Sequence, residues 1–212
     1  MQQQTKSEIG RFLASPNHII VIVNVIVFLM TDLFLRPETS GEVVSFAALQ
    51  WGRVLNGHEF YRLLTYMFLH GDISHIFGNM AMILLIGDSL EAYFGKLRYT
   101  ILYFSTGILA GGASMVYNIV TASNASSIGA SGAGFGLMGA LAAILIFDRG
   151  WLNRITLGRL AIYIALSLYT GFRSYGIDNA AHVGGLMAGL LVGWILYQTK
   201  NRKRERGSLY EN

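Results

Sequence analysis

The chain has 212 residues, 53% of them hydrophobic and only 13% charged, with a formal net charge of +4. Soluble domains carry about 25% charged residues, so this composition, with a mean hydropathy of +0.45, argues against a soluble globular protein. The absence of cysteine excludes a disulfide framework, a thiol nucleophile and a Cys-ligated metal. The basic residues sit at the ends of apolar runs, where they bear on membrane topology rather than on nucleic acid.

Six segments approach the roughly 20 mostly apolar residues that a membrane helix needs. They are 18–35, 74–94, 99–120, 131–147, 157–172 and 180–198. The first is too long for a secretory signal and no small-residue cleavage site follows it. Pro16 and Pro37 lie outside the central apolar stretches, so no span need be kinked by proline. The expected fold is an all-α membrane protein, a six-transmembrane-helix bundle over 18–199. A short N-terminus, 1–17, precedes it and a basic tail, 200–212, follows. Between the first two spans lies a long connection, 36–73. Its Val43, Val44, Phe46, Leu49, Trp51, Phe60 and Tyr61 are too apolar for a free linker and predict partial folding into the outer leaflet.

Alternate connections divide the cations unevenly. One side collects Lys6 and Arg11, Lys96 and Arg98, then Arg149, Arg154 and Arg159, and finally Lys200, Arg202, Lys203, Arg204 and Arg206. The other keeps Arg36, Arg53, Arg62 and Arg173. Positive charge favours the cytoplasmic side, so both termini are expected there.

Ionisable and polar groups within spans are costly and mark candidate sites. Three clusters fall at the external ends of spans. Gly129-Ala130-Ser131-Gly132 enters the fourth. Its glycines permit a tight turn and close backbone approach, and the helix N-terminus favours negative charge beside Ser131. Gly132-x-x-x-Gly136 is equally a helix-packing pattern. Ala181-His182 opens the sixth span, and histidine is the usual general base near neutrality. Gly185, Gly189 and Gly193 follow at intervals of four. They form a smooth face for docking on the small residues of the fourth span, which would bring Ser131 and His182 to one depth. His75 and Asn79, four apart on the second span, share a face and both can donate to an oxyanion. A metal fits His70 and His75 less well, since five residues separate them and no carboxylate stands near as a third ligand. Nucleophile, base and oxyanion donors together satisfy the requirements of an acyl-transfer site, with no cofactor or metal.

These motifs resemble the rhomboid family of intramembrane serine proteases along nearly the whole chain. The resemblance rests on Gly129-Ala130-Ser131-Gly132, on Ala181-His182 with its following glycines, and on His70, His75 and Asn79 at the family's spacing. The first long connection is similar too, with Tyr61-Arg62 where the family commonly has Trp-Arg. The resemblance implies a dyad in which Ser131 attacks and His182 takes its proton, with the oxyanion held by His75, Asn79 and the Ser131 N–H. It implies that Phe135 packs its ring on the histidine and that His70 shapes the cavity. It also implies single-span membrane-protein substrates cut near the external face, and a bacterial plasma membrane. An inactive rhomboid-like binding protein and a small transporter are the alternatives. The oligomeric state is left open.

Asp178, four residues before His182, tempts a triad but reads better as the helix cap. Glu91 is expected to pair with Lys96 or Arg98, or to be wet, rather than to belong to a polar pathway. His18 and His58 are expected to be interfacial or loop histidines.

Overall fold

The computed structural model describes residues 14–34, 37–148 and 156–208. The expected N-terminal segment up to residue 13 and the cations Lys6, Arg11, Arg36, Arg149 and Arg154 fall outside the described residues, as do the side chains of Arg202, Lys203, Arg204 and Arg206. The fold is all-helical. Among the described residues no strand forms, and β pairing is confined to an isolated bridge between Leu49 and Ser127.

Helix α1, Pro16–Phe28, starts at Ser15, whose side chain accepts the His18 N–H. Pro16 sits at its first position, where a missing N–H costs nothing. A π-helical stretch, Leu29–Phe34, continues it. The long connection then folds into α2 (Pro37–Ala47), α3 (Trp51–Leu55), α4 (Arg62–Thr65) and a 3₁₀ turn, Tyr66–Phe68. The longer helices follow: α5 (Ile73–Phe94), α6 (Lys96–Val120), α7 (Ser131–Phe147), α8 (Leu157–Arg173) and α9 (Asn179–Ser208). Helices α1, α5, α6, α7, α8 and α9 fall on the six predicted apolar segments. The backbone of the expected tail continues α9 through Ser208 rather than leaving the helix.

By length and composition α5, α6 and α9 can cross a membrane, and α1 and α7 are shorter apolar helices. The 22 residues of α5 give about 33 Å at 1.5 Å per residue, close to the roughly 30 Å of a bilayer's hydrocarbon. Large apolar side chains stay exposed around the bundle, among them Ile26, Phe77, Leu85, Leu109, Val120, Leu166 and Leu191. So many exposed large apolar side chains on apolar helices suit a lipid surrounding.

Helix α7 is apolar on every side and is buried from Gly132 to Ile144, so it forms the axis of the bundle. Against it lies α9, and the contact is made by backbone. A Cβ added at Gly185 or Gly189 would strike the carbonyl oxygens of Gly132 or Gly136, and one at Gly193 would come 2.7 Å from Ala140 Cα. Such matched stripes of small residues bring two helices to backbone contact.

The connection before α5 is pinned rather than loose. Arg62 is buried and donates to the carbonyls of Ser45 at 2.8 Å and Ala48 at 2.7 Å, while its guanidinium pairs with Glu59 at 2.5 Å. That bond holds the Glu59 carboxyl below the usual carboxylate range. Tyr61 stacks on Phe46, with centroids 5.1 Å apart. Trp51 Nε1 donates to the Ser123 carbonyl at 2.8 Å, and Tyr66 Oη donates to the Gly107 carbonyl at 2.7 Å.

Candidate active site

The N-termini of α5, α7 and α9 meet at one end of the bundle. Ser131 is the first residue of α7, and Ala130 before it offers no side-chain cap. First-turn N–H groups beside Ser131 therefore remain available to developing negative charge. The glycine stripe sets α9 so that His182, three residues before Gly185, stands beside Ser131, one residue before Gly132. His182 Nε2 and Ser131 Oγ are 2.9 Å apart. The Phe135 ring, one turn into α7, stacks on the imidazole at 4.3 Å with an interplanar angle of 15°.

Gly129 explains the approach to Ser131. Its φ is +117°, a region that side chains rarely adopt. A Cβ there would also lie 2.7 Å from His75 Nε2 and 3.6 Å from Asn79 Nδ2. Both nitrogens thus face the backbone just before Ser131. Asn79 Nδ2 is buried and has no partner among the described residues. His75 Nδ1 accepts a long bond, 3.5 Å, from the Gly71 N–H, so in the neutral ring the hydrogen sits on Nε2, toward Gly129. Asp72 caps α5 by accepting the His75 N–H at 2.8 Å. Its carboxyl is held below the usual range by the Ser74 hydroxyl and that N–H.

His70 is buried with its ring 5.0 Å from that of His75, edge to face. It packs behind His75 and does not line the cavity. That cavity, of about 620 Å³, is lined by His75, Asn79 and Met82 on one side and by Ser131, Phe135, Met138 and His182 on the other. Tyr163, Ser167 and Thr170 of α8 and the turn from Ser174 to Asp178 close it. Within α8 only Leu160 and Gly171 are buried, so this wall is the least embedded of the helices around the cavity. Among the described residues no three His, Asp or Glu side chains are placed to hold a metal.

Asp178 Oδ1 accepts the Ala181 N–H at 2.9 Å, the bond of a helix cap. Its second oxygen meets Ser114 and Ser127, residues no motif singles out. Glu91 differs from expectation. It accepts from Ser15 Oγ at 2.7 Å and from the Asn17 N–H at 2.9 Å, and among the described residues no ion pair joins it to Lys96 or Arg98. His18, expected to be an interfacial or loop histidine, stands in the first turn of α1 with its Nε2 3.1 Å from Asp88.

A family model for the rhomboid domain matches residues 57–199. RHOMBOID-like protein 6, mitochondrial, of Arabidopsis thaliana is 35% identical over 167 residues, 77% of this chain and 52% of the relative. Rhomboid protease GluP of Bacillus subtilis (strain 168) is 29% identical over 191 residues, 89% of this chain and 36% of the relative. Inactive RHOMBOID-like protein 8 of Arabidopsis thaliana is 31% identical over 144 residues, 66% of this chain and 39% of the relative. The chain thus spans about half the length, or less, of these relatives. They come from a plant and a bacterium, so the family does not single out one membrane. With its apolar helices and its matched domain, the chain belongs to the rhomboid family of integral membrane proteins.

Proposed function

We propose that the chain is an intramembrane serine endopeptidase that cuts transmembrane segments with a Ser131–His182 dyad. The observation that carries this reading is the 2.9 Å approach of His182 Nε2 to Ser131 Oγ inside a cavity lined by unpartnered donors. Ser131 Oγ attacks the scissile carbonyl carbon while Nε2 takes the hydroxyl proton. The charge on the carbonyl oxygen is received by His75 Nε2, Asn79 Nδ2 and the Ser131 N–H. His182 returns its proton to the leaving nitrogen, and water then hydrolyses the acyl-serine by the same route. For Nε2 to accept, Nδ1 must carry the other hydrogen. It has no partner among the described residues, which favours a dyad oriented by the Phe135 stack over a triad.

The uneven division of cations supports a six-span arrangement with both termini on the cytoplasmic side and the connection 36–73 at the external surface. Substrates are single-span membrane proteins cut near that face. A helix hides its carbonyls in internal hydrogen bonds, so favoured substrates carry helix-weakening residues at the cut. The thinly embedded α8 is the natural side for their lateral entry.

A rhomboid-like protein without activity is the second reading, and one relative carries the name inactive. The dyad geometry speaks against it. A transporter would need a polar route on both sides of the midplane, whereas the open polar cavity lies at one end.

The test is fluorophosphonate labelling of the detergent-purified protein beside Ser131→Ala and His182→Ala, followed by cleavage of a model transmembrane substrate. Labelling and cleavage by the wild type alone are expected. A folded wild type that does neither would return the inactive reading.

A further inference from the structure

Asp178 lies four residues before His182, and Ser127 lies four residues before Ser131. These two side chains meet, with Ser127 Oγ donating to Asp178 Oδ2 at 2.5 Å. Ser114 Oγ, from α6, donates to the same oxygen at 2.5 Å and lies 3.0 Å from Ser127 Oγ. Both serines are buried. The other carboxylate oxygen makes the cap bond to Ala181, and the Asp178 carbonyl accepts the His182 N–H at 3.2 Å.

A cap needs one oxygen, and here the second joins three segments. Ser127 is itself fixed by backbone bonds with Leu49, at 3.0 and 2.9 Å. Two residues on, the Gly129 N–H donates to the Tyr66 carbonyl at 2.9 Å. The loop leading into Ser131 is therefore anchored, and the carboxylate ties the start of α9 to it. The glycine stripe sets the distance between α7 and α9 but offers no knobs to stop sliding or rotation. Something else must fix the register at the end where the reaction occurs. No hydrogen bond joins Asp178 to the imidazole, and His182 Nδ1 has no partner among the described residues.

We propose that Asp178 is a positioning residue that clamps the two halves of the dyad together, holding the first turn of α9 against the approach to Ser131 through Ser127 and Ser114. The inference rests on the Ser131–His182 reading. It differs from a triad because the carboxylate acts on backbone position and never touches the ring.

Ser114→Ala with Ser127→Ala removes the clamp and leaves the cap bond in place. The double variant and the wild type are compared in detergent for kcat and KM on a transmembrane substrate, for the rate of fluorophosphonate labelling, and for thermal midpoint. Small displacements of catalytic groups cost up to about 10²-fold, so kcat and labelling rate are expected to fall about tenfold while KM stays within about twofold. The melting curve should leave the protein folded at the assay temperature. Asp178→Asn keeps a cap acceptor and offers amide hydrogens to the two serine oxygens, so it should retain most of the activity that Asp178→Ala loses. Wild-type rates in the folded double variant, a change confined to KM, or an Asn variant as slow as the Ala variant would each overturn the clamp. Should the double variant not fold, Ser114→Ala alone decides: its kcat should fall about threefold, and an unchanged kcat would reject the proposal. A wild type that neither labels nor cleaves would sink the protease reading and the clamp with it. An active wild type with unaffected clamp variants would sink the clamp alone.

Discussion

The two ends of the bundle treat their buried polar groups differently. At the Ser131 end, Asn79 Nδ2, His182 Nδ1 and Asn179 Oδ1 are buried without a partner among the described residues. At the other end, Asn17 is fully buried and satisfied. It donates to Asp88 at 2.7 Å, accepts from Tyr99 Oη at 2.5 Å, and gives its backbone N–H to Glu91. Nearby, Tyr93 Oη donates to Asp148 at 2.7 Å, and Lys200 Nζ donates to the Tyr93 carbonyl at 2.7 Å. Unmade hydrogen bonds are expensive when buried, about 1–3 kcal/mol for each group. Asn24 Oδ1 and Tyr103 Oη, away from the cavity, are also buried without a partner among the described residues, so what sets the Ser131 end apart is that its unpartnered Asn79 and His182 line a cavity where a ligand can meet them. The bonded end secures the frame, and the cavity end carries the proposed dyad.

The sharpest break of this comparison is at the dyad. Ser131→Ala or His182→Ala should reduce cleavage to background, a loss of about 10⁶ in kcat by analogy with soluble serine proteases. The thermal midpoint of Ser131→Ala should hold, since Ser131 is half-buried and small, while His182→Ala, losing the Phe135 stack, should melt lower yet stay folded at the assay temperature. Residual cleavage at a few per cent of wild type would mean that another nucleophile acts.

Asn79→Ala comes next. Loss of one oxyanion donor costs about 10²–10³ in kcat. Because Nδ2 has no partner among the described residues, its removal should leave stability equal or raised, as expected where function is maintained against stability. A slow variant that melts well below wild type would show that Asn79 is structural. Gly189→Val attacks the frame instead. Its side chain would be driven into the Gly136 carbonyl, and overpacking of this kind costs about 1–3 kcal/mol or more. Calorimetry in detergent should show a lowered midpoint, and full stability would reject the α7–α9 contact.

Much of this was legible from residue order. Apolar runs marked the starts of the long helices to within about three residues, though not the end of α9, which continues to Ser208, and the spacing of Gly185, Gly189 and Gly193 announced a close helix contact. What stayed hidden depends on contacts remote in sequence. Ser114 and Ser127 are 64 and 51 residues from Asp178, and a buried serine carries no pattern of its own. Glu91 was assigned to nearby cations because charge invites that reading. The chain turns at Gly95, with φ +81°, and α6 starts in a new direction, so Lys96 and Arg98 leave the face that Glu91 presents to α1. The π-helical stretch after α1 and the buried setting of Arg62 likewise arise from packing rather than local preference.

The smallest effect tests the quiet end. Asn17→Ala strands the Tyr99 hydroxyl and removes a bond from Asp88, which should cost about 1–3 kcal/mol. Gly87 has no side chain where Asn17 Oδ1 sits, so nothing on α5 can fill the gap. Yet α5 is about 33 Å long by its 1.5 Å rise, and the loss lies at its far end from His75. Measured per folded molecule, kcat and KM of Asn17→Ala should match wild type while the thermal midpoint drops. If kcat fell as well, the ends would be coupled through the bundle, and the division between a frame end and a reacting end would not hold.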